Sequence, residues 1–484
     1  MSHNILLNTK KFGDNVQILS EIEEVDASSL ISYDRLDIMA KILFLQNQDK
    51  PFFQKLYLDS IQYLNGFNEK NEKDKQGKEA FLQKFIETFN SIKEKGFTIQ
   101  EGVIPIGKDG LILDGAHRVA ICYVLGLKVP VVKIDNEGGF KYNASYYKVT
   151  GFNTIFIEYL LLEFIKIQKD VLTALFWSGN EKKQKQIEKI YQKYGIISFY
   201  QKNITFSEEG QKNIVVACYE KEQWIGNREN AFVGAINKVK MCIDPKTYSK
   251  SAVDFLLCTK KLSSQELIDM KEEIRQLFGK GKNSIHITDT FEETLQLSQI
   301  FLSKNSLHHI NNCHFKYYPD FYNLVDIYTK NMKNNDGFIL VGSGALGLYG
   351  IRKSQDLDFL SDKKLNFQNE NISSHEDYLQ LYGLEKSDII YNPLYHFYFF
   401  GKYKVLTLER LKNFKENRGE KKDKNDVELI TSFLKNEKTL KDTMMYFKQK
   451  MYLSFLNIIT KIGKKVIPEK LKPFFLKIYY KIIG

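Results

Sequence analysis

Apolar residues recur along this chain of 484 residues in two spacings that alternate from one segment to the next. A return every third or fourth position predicts an amphipathic helix, and an unbroken apolar run between turn residues predicts a buried strand. The helical spacing appears at Tyr33 to Leu45, with Arg35, Asp37 and Lys41 on one polar side, and at Lys78 to Lys95, a charged surface helix. Between Val103 and Ile134 the pattern reads strand, turn (Lys108, Asp109, Gly110), second strand, helix, third strand. Val171 to Trp177 reads as a strand, Glu181 to Lys193 as a helix ended by Gly195, Ile196 to Thr205 and Ala252 to Cys258 as further strands. A helix starts at Phe291, capped by Thr288, Asp289 or Thr290, with Glu292 and Glu293 in its first turn. Phe338 to Val341 is an apolar strand leading into a small-residue turn, a short helix (Ala345 to Tyr349) and a strand carrying Asp356 and Asp358. Tyr395 to Phe400 is another strand, and a last helix runs to about Lys435. The expected class is α+β with several domains, at 1–150, 151–330 and 331–440, followed by a helical tail at 441–484.

Charge changes this picture at one end only. The net charge is +11, and the segment Thr443 to Gly484 holds nine lysines against the single acid Glu469, a net +8. The near-neutral remainder argues against extensive contact with nucleic acid, so no specific nucleic-acid partner is expected. In the tail, apolar and aromatic residues alternate with lysines, and Pro468 and Pro473 divide it into short helices. Such helices lie flat on an anionic membrane surface or pack on the preceding domain with a basic rim; the composition allows both. Five scattered cysteines without a C-x-x-C pair suit a reducing compartment. The N-terminus lacks the apolar core of a signal peptide, and no run of 18 apolar residues occurs, so a cytoplasmic location is expected, with the tail peripheral on the inner face of the membrane.

The chemistry concentrates in Gly337 to Leu360. A period-2 strand would point Asp356 and Asp358 to one face and Leu357 and Phe359 into the core. Neighbouring carboxylates repel unless a cation lies between them, and Mg²⁺ with substrate phosphates suits such a pair. The Gly342-Ser343 turn offers backbone N–H groups to a phosphate. Gly-Ser followed about a dozen residues later by Asp-x-Asp resembles the nucleotidyltransferase superfamily of the polymerase-β type. The resemblance implies that Gly342 and Ser343 hold the triphosphate of a nucleotide such as ATP or CTP, and that Asp356 and Asp358 hold Mg²⁺ and are catalytic. That superfamily's third carboxylate has no obvious counterpart; Tyr395 to Phe400 contains none, and Asp388 is the one candidate. Nucleotidyltransferase-like proteins often end with a basic turn and Lys-Asp-x-x-Asp, so Lys415 and Arg418, near Lys422, Asp423 and Asp426, are candidate nucleotide ligands. A solvated start of a charged helix is the alternative.

Two other turns carry a phosphate signal. Asp114-Gly115-Ala116-His117-Arg118 leads into a helix whose N-terminal N–H groups attract an anion, with His117 and Arg118 as further donors. It resembles the nucleotide-phosphate turn of the ParB/sulfiredoxin superfamily, on Gly115, His117 and Arg118, although Ala116 stands where sulfiredoxins carry cysteine and no helix-turn-helix follows. Arg275-x-x-Phe278, then Asn283-x-x-His286 with Thr288, Asp289 and Thr290, resembles nucleoside diphosphate kinase, in which the histidine is phosphorylated. This implies a ferredoxin-like domain, His286 as a catalytic residue, and Arg275 and Asn283 as nucleotide ligands. Trp177-Ser178-Gly179 replaces that family's Lys-Pro-Asp and Ile287 its glycine, so a phosphate-binding lysine is missing.

Together these features predict a Mg²⁺-dependent nucleotidyl- or phosphotransferase acting on a small-molecule or lipid-linked glycan acceptor, in bacterial surface-polysaccharide assembly. Two alternatives remain open: a nucleotide-binding regulatory or scaffold protein without catalysis, and a toxin-like nucleotidyltransferase that modifies protein or RNA.

Overall fold

Among the described residues of the computed structural model three sheets form, each from apolar runs in one part of the chain and each covered by helices, which makes the fold α+β. The structure describes residues 12, 16–68, 76–243, 250–331, 336–365 and 367–435. The chain divides into two units, Met1–Leu411 and Lys412–Gly484, and all three sheets belong to the first. The basic stretch at 441–484 lies outside the described residues. No helix among the described residues is long and apolar enough to cross a membrane.

The first sheet contains β1 (Glu23–Asp26), β2 (Ile104–Ile106) and β3 (Lys128–Lys133) in the order β1-β3-β2. β2 and β3 run parallel, joined through the helix Ala116–Leu125. The second strand expected after the Lys108–Gly110 turn shrinks to one bridge, Ile106 with Ile112. The physical reason is length: Gly107 N–H already bonds Leu111 O, and the chain turns into the helix at Gly115, leaving no room for a ladder. A second expectation is corrected at the first helix, Leu36–Gln46, where Arg35, Asp37 and Lys41 are buried instead of forming a wet face. Helices Pro51–Asn65, Ala116–Leu125 and Thr154–Ile167 all pack on it. Inside, the two cations share the single Asp37 carboxylate. Arg35 Nε and Lys41 Nζ lie 2.8 and 2.9 Å from the Asp37 carboxylate, and Arg35 Nη1 donates to Ile112 O at 2.7 Å. Burial pushes the Asp37 carboxyl up, but Arg35 and Lys41 hold it well below the usual range.

The second sheet contains β4 (Val171–Phe176), β5 (Ile196–Ile204), β6 (Ser251–Cys258) and β7 (Ile285–Ile287), all antiparallel, in the order β5-β6-β4-β7. Helix Gln184–Lys193 joins β4 to β5, and helix Ser264–Phe278 joins β6 to β7. Ile187 and Tyr191 of the first helix and Met270 and Ile274 of the second share one core with Phe176 and Leu256. Full burial of side chains such as Phe176, Leu256 and Met270 contributes roughly 1.5–3 kcal/mol each. The connection from β5 to β6 contains two further helices, Glu208–Tyr219 and Val233–Cys242. Strand β5 is an outer strand, and its register against β6 shifts between Ser198 and Tyr200.

The third sheet contains β8 (Phe338–Val341), β9 (Leu357–Ser361), β10 (Ile372–Ser374), β11 (His396–Phe399) and β12 (Tyr403–Leu406), ordered β10-β9-β8-β12-β11. β8 and β9 are antiparallel, with Val341 opposite Asp358, and β10 runs parallel to β9 with Ser373 opposite Asp358. Lys166 of the helix Thr154–Ile167 reaches Asp336 just before β8, at 2.6 Å, and fixes this sheet on the preceding helices. Gly419 in left-handed conformation separates helix Leu408–Arg418 from helix Lys421–Leu434.

Candidate functional site

Strand β8 ends at Val341, and the next two residues make the turn that faces both acids. Gly342 has φ +63°, and a Cβ there would meet Asp358 Oδ2 at 2.2 Å, so the carboxylate occupies the space a side chain would need. The opposition of Val341 and Asp358 across the antiparallel pair produces this approach. Asp356 lies one residue before β9 and not on it; Ser343 Oγ donates to its Oδ1 at 2.9 Å. Ser354, 1% exposed, places its Oγ 2.8 Å from Ser343 Oγ, 3.0 Å from Asp356 O and 3.2 Å from Asp356 Oδ1. Ser373 Oγ donates to Asp358 Oδ1 at 3.2 Å. Leu357 and Phe359 point into the core. The helix after the turn, Gly344–Tyr349, has six residues, so the turn contributes a hydroxyl and local N–H groups more than a macrodipole.

Two carboxylates held by hydroxyls are oxygen ligands of the kind Mg²⁺ accepts, with water and substrate phosphate completing its shell. No group of three or more His, Cys, Asp or Glu suited to a metal gathers among the described residues. Asp388 sits in the first turn of the helix Lys386–Tyr391, near Lys55, Glu385 and Arg410 and bonded by Asn392.

The second cluster surrounds His286, which is buried on β7 opposite Leu175. Its Nε2 lies 2.9 Å from Glu293 Oε1, and the other Glu293 oxygen accepts from Asp289 N at 2.8 Å. Burial raises the Glu293 carboxyl, yet His286 and the Asp289 N–H bring it below its ordinary range. Thr290 caps the helix Phe291–Phe301 and so aims Glu293 at the imidazole. The Tyr219 ring stands edge-on to His286 at 5.0 Å, and Lys238 Nζ lies 5.2 Å above that same ring. Lys238 also donates to Asn283 Oδ1 at 2.9 Å and to Lys282 O. Arg275 donates to Glu272 at 2.6 Å. Sequence reasoning missed Lys238 and Tyr219, which come from the two helices between β5 and β6. Neither has a local motif that would have marked it.

At the third turn, Gly115 has φ +88° and a Cβ there would strike Ile104 Cδ1 at 2.3 Å. His117 Nε2 lies 3.0 Å from Tyr57 Oη and its ring packs on Phe85 at 4.5 Å, while Arg118 pairs with Asp114 at 3.4 Å and lies over Phe97. The histidine thus faces the helices and the arginine its own turn. In the second unit, Lys415 Nζ sits between Asp423 and Asp426 at 3.0 and 2.7 Å, and Arg418 forks onto Asp423 at 2.8 and 2.7 Å. Burial raises the Asp423 carboxyl, but Arg418 and Lys415 bring it down to about 2. Both cations therefore join the two helices. A cavity of about 540 Å³ opens beside β5, lined by Lys148, Glu188, Tyr191 and Tyr200 among others, and shares no residue with the acid pair or the His286 cluster.

Comparison with protein-family models, with curated proteins and with solved structures finds no match to this chain.

Proposed function

We propose that the Gly342-Ser343 turn, Asp356 and Asp358 form the site of a Mg²⁺-dependent nucleotidyl- or phosphotransferase that takes a nucleoside triphosphate, ATP or CTP. The observation that carries this reading is the convergence of both acids on one turn, Asp356 through the Ser343 hydroxyl and Asp358 through contact with Gly342. Asp356 and Asp358 would hold Mg²⁺, which when bound supplies charge neutralisation for the polyphosphate and the leaving group. Ser343 and the turn N–H groups orient the phosphates, since such transfer depends on positioning and electrostatics more than on covalent help from the protein. An acceptor hydroxyl would attack phosphorus, forming a P–O bond as the bond to pyrophosphate or to the nucleoside diphosphate breaks. A small-molecule or lipid-linked glycan acceptor in a bacterial pathway at the inner face of the membrane fits the basic tail of the sequence. The test is Mg²⁺-dependent binding and turnover of ATP and CTP by the full chain. No metal-dependent binding of either nucleotide would overturn the reading.

A second reading is favoured by Lys238 and Glu293. With Nε2 protonated toward Glu293 Oε1, 2.9 Å away, the Nδ1 lone pair would be left as nucleophile, so His286 would accept a phosphoryl group, with Lys238 over the same Tyr219 ring that His286 meets. The strand order β5-β6-β4-β7 supports the ferredoxin-like arrangement this reading expects. Acid-labile label on the protein after incubation with labelled triphosphate, lost in His286→Asn, is the expected result.

A further inference from the structure

The acid pair and its turn leave one hydroxyl without a role in the scheme above, and its bonding possibilities define one. Ser354 is buried and has a single hydroxyl proton, yet three oxygens lie within reach: Ser343 Oγ at 2.8 Å, Asp356 O at 3.0 Å and Asp356 Oδ1 at 3.2 Å. Asp356 as a carboxylate only accepts; where Ser343 donates to its Oδ1 at 2.9 Å, the single Ser343 proton is used there. Ser343 can then take part in the 2.8 Å contact only as acceptor, and Ser354 must donate to it. In that arrangement the bonds run from Ser354 to Ser343 to Asp356; in the other, Ser354 donates to Asp356 and the Ser343 hydroxyl is released. In the first arrangement the Ser343 hydroxyl has no proton left for a phosphate.

We infer that Ser354 is a positioning residue for Asp356 and Ser343, switching its single proton from Ser343 Oγ to Asp356 when the Ser343 hydroxyl turns to the nucleotide phosphate. The inference rests on the nucleotidyl- or phosphotransfer reading of this turn. It requires no movement of the backbone, because the three acceptors already surround the Ser354 oxygen within hydrogen-bond range. Without Ser354, a Ser343 that turns to phosphate leaves Asp356 with no hydroxyl to fix its rotamer, and the carboxylate must be ordered by the cation itself. The cost falls on metal affinity and not on nucleotide affinity once metal is saturating.

The test compares the full chain with Ser354→Ala, Ser354→Thr, Ser343→Ala and Asp356→Asn by titrating Mg²⁺ at fixed ATP or CTP and then nucleotide at saturating Mg²⁺. Ser354→Ala is expected to raise the half-saturating Mg²⁺ concentration about tenfold, the scale for loss of an orienting partner of a metal ligand, with nucleotide affinity at saturating Mg²⁺ unchanged. Ser354→Thr, which keeps the hydroxyl, restores the wild-type value. Ser343→Ala shows the opposite split, weaker nucleotide affinity at saturating metal. Should Ser354→Ala fail to fold, Ser354→Cys has nearly the same size and a poor donor, and the same shift is expected. An unshifted Mg²⁺ dependence in Ser354→Ala or Ser354→Cys, with Asp356→Asn defective, overturns the inference and leaves the reading of the site standing. Absence of Mg²⁺-dependent nucleotide binding in the wild type overturns both.

Discussion

The sheet that carries the acid pair and the antiparallel sheet that carries His286 handle their polar groups in opposite ways. At the turn after β8 the donors that reach Asp356 are neutral hydroxyls, and no ion pair engages it among the described residues. Around His286 the charges have partners from the surrounding segments: Glu293 with His286, Asp289 with Lys271, Glu272 with Arg275. A carboxylate held only by hydroxyls keeps its full charge for an arriving cation. At an effective dielectric near 20, two unit charges about 4 Å apart are worth about 4 kcal/mol, so which site has already spent that attraction decides which one has room for a metal. A histidine resembling a known nucleophile is therefore a weaker pointer than an acid such as Asp356, whose side-chain partners among the described residues are hydroxyls.

One acid breaks the pattern of the antiparallel sheet and gives the largest expected effect. Asp254 is buried on β6, bonded by Asn180 at 3.2 Å and by Tyr191 at 3.2 Å, with no cation beside it among the described residues. Burial pushes its carboxyl up to about 7. A folded pKa above the unfolded one means the stabilising proton is fully in place below about pH 4 and is lost as the pH rises through 7. Chemical denaturation between pH 4 and 8 should show a loss of up to about 4 kcal/mol from this group. Asp254→Asn should flatten that profile and be the more stable protein at pH 8.

The next effect tests the acid pair itself. Asp356→Asn is expected to lower Mg²⁺-dependent turnover by about a hundredfold or more while leaving the thermal midpoint within a few degrees, because the carboxylate is exposed and bears no ion pair. A midpoint that collapses would show that the acid holds the fold, and the contrast between the sheets would fail. A smaller effect is expected at the other site. Lys238→Met should reduce acid-labile labelling of His286 about tenfold, the scale of one preorganised cation near a transferring phosphoryl group. Equal labelling in wild type and Lys238→Met would mean that the lysine serves Asn283 and the Tyr219 ring alone.

Much of the fold was legible because its strands are apolar runs with sharp ends: Val171–Phe176, Ser251–Cys258 and Phe338–Val341 lie within a residue of where the pattern puts them. A cap among Thr288, Asp289 and Thr290, which the structure assigns to Thr290, and the Lys78–Lys95 helix were legible for the same local reason. What escaped depends on distant partners. The burial of Arg35, Asp37 and Lys41 follows from three helices packing on theirs, which periodicity cannot register. Ser354 belongs to a loop with no motif of its own, and its part in the site appears only when β8 and β9 are side by side. Lys238 reaches Asn283 from 45 positions away, through a helix inserted between two strands. The spacing of Lys415 and Arg418 with Asp423 and Asp426 was visible, but that the acids take up both cations was not.

The shift in register between Ser198 and Tyr200 has a consequence for the chain in a crowded solution. An outer strand as long as Ile196–Ile204, if flat, would present a regular row of backbone donors and acceptors on which a strand of another molecule could grow. The extra residue at this point twists the row and breaks its spacing, so a stranger's strand meets matching groups on only one side of the kink. The same irregularity that spoils the ladder with β6 locally thus protects the molecule against templated aggregation along this outer strand.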